Sequence, residues 1–190
     1  MSMRRRWAQV IPLMILWLMA SIFFWSWIFT FLTDTDPAHK LALFAEMEVA
    51  SQDELALALE DGTGPGIRMV KVHPFTYAML DGDQLRNADL FIVTASGMDE
   101  YKDWFRPLPG DLAAGRELYL SEDKALGVRV WNARTGLGIA ADWLRYPAGE
   151  DCYLCLGSQS LHVEGSSSAL DNEAAEAALR FLSWPEKKRP

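Results

Sequence analysis

The stretch Leu90-Phe-Ile-Val-Thr94 decides the fold, because it is apolar up to its last residue and is too short for a helix. Such a run predicts a strand that is covered on both faces, as strands of parallel sheets are. Upstream, the runs Lys40–Val49 and Ile67–Val72 predict two further strands. Between them, Ser51-Gln-Asp-Glu54 has the pattern of a capping box and predicts a helix that continues to Asp61.

The order of these elements predicts how the first half of the sheet is connected. His73–Leu80 adds a short helix or turn before the Leu90 strand. A strand, helix, strand, short helix and strand joined by tight connections favour right-handed crossovers and parallel strands. We expect the Lys40 strand to be central, between the strands that follow Gly66 and precede Ala95.

The second half has a different pattern, with short strands around polar turns, which favours antiparallel pairing. The elements predicted there are a helix at Met98–Phe105, strands at Glu117–Leu120, Leu126–Trp131 and Cys152–Leu156, and a closing helix at Asp171–Trp184, with Ile139–Tyr146 open between helix and strand. The predicted fold class is therefore α/β, a small mixed sheet with a parallel β-α-β-α-β first half and an antiparallel second half. One transmembrane helix precedes it.

That helix is predicted from the amino-terminal residues. Arg4, Arg5 and Arg6 precede Trp7–Leu32, which contains no charged side chain. The run is long enough to cross a bilayer core of about 30 Å, and positive flanks stay cytoplasmic. A cleavable signal peptide is the alternative, but its apolar core is shorter, about 7–15 residues. We therefore expect an uncleaved signal anchor in the cell membrane, with a single pass, a cytoplasmic N-terminus and an extracytoplasmic carboxyl-terminal domain.

The predicted domain organisation follows from this placement. It comprises a cytoplasmic N-terminus at 1–6, the transmembrane anchor at 7–32, a linker at 33–39, the extracytoplasmic α/β domain at 40–185 and a basic tail at 186–190. Without the three amino-terminal arginines, 15 basic residues remain against 26 acidic ones, a formal charge of −11. Nucleic acids and anionic lipids are bound by clustered Lys and Arg, so we predict no nucleic-acid partner.

Residues that could carry chemistry are few. The chain has three histidines, and none has a carboxylate or second histidine at metal-ligand spacing. Cys152-Tyr-Leu-Cys155 is a C-x-x-C pair in a strand-like run, where positions three apart face opposite sides, so we predict buried thiols that are not bonded to each other. The Gly-x-Ser-x-Gly and P-loop patterns are absent. We predict no metal, no cofactor and no catalytic activity.

A ligand site is predicted at the carboxyl ends of the first three strands, where open α/β sheets bind ligands. Aromatic and hydroxyl side chains, Phe75, Thr76 and Tyr77, follow the second strand. After the third strand, Ser96-Gly97 could present backbone N–H groups to an anion. The candidate ligand-binding residues are Phe75, Thr76, Tyr77, Thr94, Ser96 and Gly97. The alternative is that Phe75 and Tyr77 are core aromatics and that Ser96 caps the next helix.

The arrangement resembles the first lobe of type 2 periplasmic substrate-binding proteins. The resemblance rests on Lys40–Val49, the helix to Asp61, Gly66–Val72 and Asn87-Ala-Asp-Leu-Phe-Ile-Val-Thr94, and on the late run Tyr153-Leu-Cys-Leu-Gly-Ser-Gln-Ser with its closing helix. It implies a reduced, membrane-anchored relative of that family. The family closes two lobes on a ligand, whereas this domain has the length of about one.

Three functions remain open from the sequence. The first is a non-catalytic, membrane-anchored binding domain for a small solute or peptide, which the resemblance favours. The second is an accessory subunit that docks another membrane protein or a transporter. The third is an extracytoplasmic enzyme of a class without a recognisable motif. A concave pocket would favour binding, and a flat exposed apolar patch would favour docking.

Overall fold

The computed structural model describes residues 3–33, 36–63, 65–75, 85, 87–163 and 173–183. Its contacts divide the chain into two units, Met1–Thr35 and Asp36–Pro190. The first unit contains helix α1 (Met3–Thr33). Within it, Ile11–Phe29 has a mean hydropathy of 1.9 and is long and apolar enough to cross a membrane. Large apolar side chains such as Trp17 are exposed along this helix, as they are on a lipid-facing surface.

The second unit is a mixed sheet with helices. Its strands are β1 (Lys40–Ala45), β2 (Glu48–Val49), β3 (Met69–Pro74), β4 (Leu90–Thr94), β5 (Phe105–Arg106), β6 (Leu118–Ser121), β7 (Lys124–Asn132), β8 (Leu137–Gly138), β9 (Leu144–Arg145) and β10 (Cys152–Gly157). Its α-helices are α2 (Gln52–Thr63), α3 (Ala95–Glu100), α4 (Gly110–Ala113) and α5 (Ala174–Ser183), with 3-10 turns at Pro37–His39 and Lys102–Trp104.

The main sheet has the strand order β3-β1-β4-β10-β7-β6, with β5 paired to β10 and β8 to β7. Strand β1 is parallel to both of its neighbours, β3 and β4, whereas β10 is antiparallel to β4 and to β7. The predicted fold class is thus confirmed, including the central position of the Lys40 strand. Strand β4 is buried on both faces, as its unbroken apolar sequence requires.

The two faces of the sheet have different coverings. Helices α2 and α5 pack against each other on one face, α2 against β3 and α5 against β7 and β10. The predicted face of the closing helix is buried there, with Ala175, Ala178, Leu179 and Leu182 at most 1% exposed. The other face carries an aromatic cluster that includes Phe44, Phe91 and Phe105. The sheet therefore lies in the middle of the domain, between the helices on one face and the aromatic cluster on the other.

Three predicted elements have different limits in the structure. The Lys40–Val49 run is not one strand: β1 ends at Ala45, and Glu48–Val49 pairs with β9 in a separate small sheet. The predicted second strand, Ile67–Val72, is shifted to Met69–Pro74. The ambiguous run from 139 to 146 contains turns and the two-residue strand β9. These short runs are fixed by pairing partners far away in sequence, which local pattern does not contain.

The predicted helix Met98–Phe105 is also displaced. Helix α3 begins at Ala95, because the Thr94 side chain caps it by accepting a hydrogen bond from the Gly97 N–H group. It ends at Glu100, and a 3-10 turn continues the chain to Trp104. The rings of Tyr101 and Trp104 then meet in the aromatic cluster at 5.6 Å, inclined at 40°. The helix thus begins three residues earlier than predicted and ends five residues earlier.

Strand β10 carries both cysteines, and both are buried free thiols. Cys152 packs in the cluster beneath helices α2 and α5, whereas Cys155 packs in the aromatic cluster on the opposite face. The two sulfur atoms therefore face opposite sides of the sheet, as strand geometry predicts for positions three apart.

Candidate functional site

Phe75, the first predicted ligand-binding residue, lies in the aromatic cluster. Its side chain is 8% exposed. Its ring meets the ring of Tyr101 edge-on at 5.1 Å and that of Trp104 at 6.5 Å. These contacts are those of a core side chain. Thr76 and Tyr77, predicted with it, lie outside the described residues.

Thr94, Ser96 and Gly97 form the turn from β4 into α3, and the protein's own carboxylates already occupy its donors. The Oε2 atom of Glu46 accepts hydrogen bonds from the backbone N–H of Thr94 at 2.8 Å and from its hydroxyl at 2.9 Å. The hydroxyl of Ser96 donates to Oε2 of Glu150 at 2.8 Å. The sequence analysis placed a candidate site for an external anion at this turn. In the structure, the carboxylates of Glu46 and Glu150 accept its hydrogen bonds instead.

Gly97 shows how closely Glu46 is held against the turn. A Cβ atom at this position would lie 2.5 Å from Oε2 of Glu46 and 3.3 Å from Cβ of Val93. No side chain fits without displacing the carboxylate, so the absence of a side chain is what lets Glu46 reach the turn. The structure brings Thr94, Ser96 and Gly97 together, but around Glu46 and Glu150.

An open cleft of about 390 Å³ lies instead beside strands β1 and β3, on the face of the sheet that carries Phe44. Its described lining residues are Lys40, Leu41, Ala42, Phe44, Lys71, His73, Asn87, Asp89, Leu161 and His162. Ala42 is the strand partner of Lys71, and Phe44 is the partner of His73. Alternate residues of two paired strands share one face, so these four side chains form a single surface. We call this cavity the β1–β3 cleft.

The surface of the β1–β3 cleft is part apolar and part basic. The rings of Phe44 and His73 lie 5.1 Å apart and inclined at 32°. Burial, and then the nearby ammonium group of Lys71, lower the pKa of His73 below its usual value of 6.5. His73 is therefore neutral at pH 7, while Lys71 beside it is charged.

A buried polar group lies behind this surface. Asp89 is 2% exposed, and its carboxylate accepts hydrogen bonds from the backbone N–H of Ala42 at 2.8 Å and from the Ser160 hydroxyl at 2.5 Å. Burial raises the pKa of Asp89, and the two donors together with His162 oppose that rise. The carboxylate joins β1, β4 and the segment after β10, and so fixes the wall of the cleft.

His162 is the least expected member of the cleft lining. It is 1% exposed, and its Nε2 atom lies 2.8 Å from the carbonyl oxygen of Lys40. A carbonyl oxygen only accepts, so Nε2 carries the proton and donates it. Among the described residues, the buried Nδ1 atom has no hydrogen-bond partner. An unpaired buried polar atom is costly, so this nitrogen is the least satisfied polar atom of the cleft lining.

A second cleft, of about 770 Å³, lies beside the start of β10. Three of its described charged side chains, Arg129, Glu117 and Asp151, are engaged with one another. Arg129 pairs with Glu117 and, at 3.1 Å, with Asp151, whose other oxygen accepts from the backbone N–H of Ala133 at 2.8 Å. This cleft is larger, but the ion pairs of Arg129 form part of its lining, and a described buried nitrogen without a partner, Nδ1 of His162, lies at the β1–β3 cleft.

Sequence reasoning missed the β1–β3 cleft for identifiable reasons. Asp89 and His162 are 73 positions apart, so no spacing rule connects them. The signal that was present is the alternation of Lys71 and His73 with Val70 and Val72, which places two basic groups on one face of a strand.

No family model matches the chain, and no curated protein and no solved structure matches it either. Among the described residues, no group of three or more His, Cys, Asp or Glu side chains is placed to hold a metal ion. The function must therefore be argued from the cleft itself.

Proposed function

We propose that this chain is a membrane-anchored, extracytoplasmic and non-catalytic binding domain that takes a small solute in the β1–β3 cleft. The observation that carries the proposal is the cleft, which combines an apolar surface, charged and neutral basic groups and a buried histidine nitrogen without a partner. Its volume of about 390 Å³ lies in the range of small-molecule sites, roughly 300–1,000 Å³.

The bonding of the polar groups supports binding over catalysis. Ser160 donates its proton directly to Asp89, and His162 donates its own to a backbone carbonyl. A serine nucleophile requires a base that accepts its proton and a third group that orients the base. Here the serine and the histidine are held by other partners, which suits a rigid wall for ligand recognition.

The amino-terminal sequence supports the membrane placement. Three arginines precede the apolar helix, and cationic flanks are retained in the cytoplasm, so the acidic unit would lie outside. A tethered domain meets its ligand at the membrane surface. This arrangement agrees with the resemblance to substrate-binding proteins, although the chain would bind with one lobe.

The proposal is tested by filling each cleft in turn. Ala42→Leu adds bulk inside the β1–β3 cleft, and Ala133→Leu makes the same change in the cleft beside β10. The full chain in lipid nanodiscs is mixed with a set of small anionic, neutral and cationic solutes, and saturation-transfer NMR reports which of them bind. We expect signals in the unsubstituted chain that Ala42→Leu removes and Ala133→Leu retains.

Two results contradict the proposal. One is that no solute of any charge class gives a signal that depends on Ala42. The other is that the signals depend on Ala133 alone, which would move the site to the cleft beside β10. Thermal unfolding of both variants shows whether each keeps its fold, so a lost signal can be attributed to the filled cleft.

A further inference from the structure

The β1–β3 cleft differs in charge from the domain that contains it. The residues after the anchor carry a formal charge of −11, yet among the described residues that line the cleft there are two lysines, Lys40 and Lys71, and one carboxylate, Asp89. That carboxylate already accepts two hydrogen bonds from the protein. The described lining is thus more basic than the domain as a whole.

The basic groups lie next to the apolar surface. Lys71 and Ala42 are strand partners, as are His73 and Phe44, so the ammonium group of Lys71 and the neutral ring of His73 lie along an apolar surface. Lys71 is exposed, whereas Phe44 is 3% exposed and His73 is partly buried. A ligand that extends from the mouth of the cleft inward therefore meets an ammonium group first and aromatic surface next.

We propose that the β1–β3 cleft selects a small organic anion, with its carboxylate at Lys71 and an apolar body against Phe44 and Ala42. This inference rests on the proposed binding function and adds the charge class of the ligand. The Nδ1 atom of His162, which has no partner among the described residues, adds a second feature, because a hydroxyl group on the ligand would form a hydrogen bond with it. An aryl hydroxy acid has all three features.

Three related probes separate these features. 3-Phenyllactate carries the carboxylate, the hydroxyl and the apolar body, 3-phenylpropionate lacks the hydroxyl, and 3-phenylpropionamide lacks the charge. Each is titrated into the full chain in nanodiscs, and the imidazole signals of the three histidines are followed by NMR. His73 and His162 line the cleft, whereas His39 contacts the carbonyl of Gly66 and serves as an internal reference.

We expect 3-phenyllactate to shift the signals of His73 and His162 and to leave those of His39 in place. The amide should bind about tenfold more weakly, since a lost charge-assisted hydrogen bond corresponds to a change of that size. Lys71→Gln should weaken 3-phenyllactate binding about tenfold as well. Lys124→Gln makes the same charge change at the exposed first residue of β7, near the opposite edge of the sheet from β3, and should leave the affinity unchanged.

The outcomes distinguish this inference from the proposed function. If the amide binds as tightly as the carboxylates, the cleft binds solutes but does not select anions, and the inference fails alone. If Lys124→Gln weakens binding as much as Lys71→Gln does, the anionic ligand responds to the net charge of the domain and not to Lys71, and the inference also fails. If no probe shifts His73 or His162 and no solute in the mixed set depends on Ala42, both proposals fail.

Discussion

At the scale of single residues, Gly97 is the position where the addition of one methyl group should lower the stability of the fold. A methyl group there would lie 2.5 Å from the Glu46 carboxylate, which Thr94 holds by two hydrogen bonds. We expect Gly97→Ala to lower the free energy of unfolding by about 1–3 kcal/mol, as overpacking does. Urea unfolding of the full chain in detergent, followed by near-UV circular dichroism, measures the change.

Two further variants make this test specific. Gly110→Ala has open space around the new methyl group and should change the free energy of unfolding by less than about 0.5 kcal/mol. In the background Glu46→Ala, the atom that clashes with the new methyl group is gone, so Gly97→Ala should cost less than it does in the unsubstituted chain. An equal cost in both backgrounds would show that Glu46 is not the cause.

His73 is the residue whose titration reports on the cleft. Burial and Lys71 lower its pKa, so the unfolded chain binds more protons than the folded one just below pH 6.5. This histidine therefore makes folding less favourable as the pH falls through 6.5, and stability rises with pH through the same window. We expect an NMR titration midpoint below 6.5, and a higher midpoint in Lys71→Gln but not in Lys124→Gln. A midpoint unaffected by Lys71→Gln would contradict the charge contact.

At the scale of elements, strand β10 determines the chemistry of the two cysteines. Burial, aided by Glu46, Asp151 and Glu150, raises the pKa of Cys152 to about 12, and burial raises that of Cys155. Since the thiolate is the reactive form, we expect iodoacetamide at pH 8 to label neither thiol in the folded chain and both in urea. Mass spectrometry without reduction gives the result, and a linked Cys152–Cys155 peptide would refute the strand geometry.

The same scale separates what the sequence predicts from what it does not. Leu90–Thr94 is buried on both faces, so its composition alone predicted its place in the sheet. Glu48–Val49 has no such pattern, because its pairing with Leu144–Arg145 depends on residues about 95 positions away. The site follows the same rule: Ser96 and Gly97 were placed correctly at the end of β4, but the carboxylates of Glu46 and Glu150 that fill this turn come from distant elements.

At the scale of the whole molecule, the distribution of charge is the feature with the largest consequence. All acidic residues of the sequence follow the apolar run Trp7–Leu32, and Arg4, Arg5 and Arg6 come directly before it. On the other side of the span, Lys40 is a nearby basic residue. The excess of positive charge on the amino-terminal side, which favours a cytoplasmic amino terminus, therefore depends on the three arginines. The proposed binding of a solute from outside the cell requires this orientation, because the opposite one would place the cleft in the cytoplasm.

Protease accessibility in intact cells that express the chain tests that orientation. We expect externally added protease to degrade the acidic unit without lysis. The variant with Arg4→Ser, Arg5→Ser and Arg6→Ser loses the positive flank while the apolar span is unchanged, so a fraction of its chains should become protected in intact cells and be degraded only after lysis. Protection of the unsubstituted chain before lysis would place the domain inside. Equal exposure of both variants would show that features other than the arginines, such as the length of the span, determine the orientation.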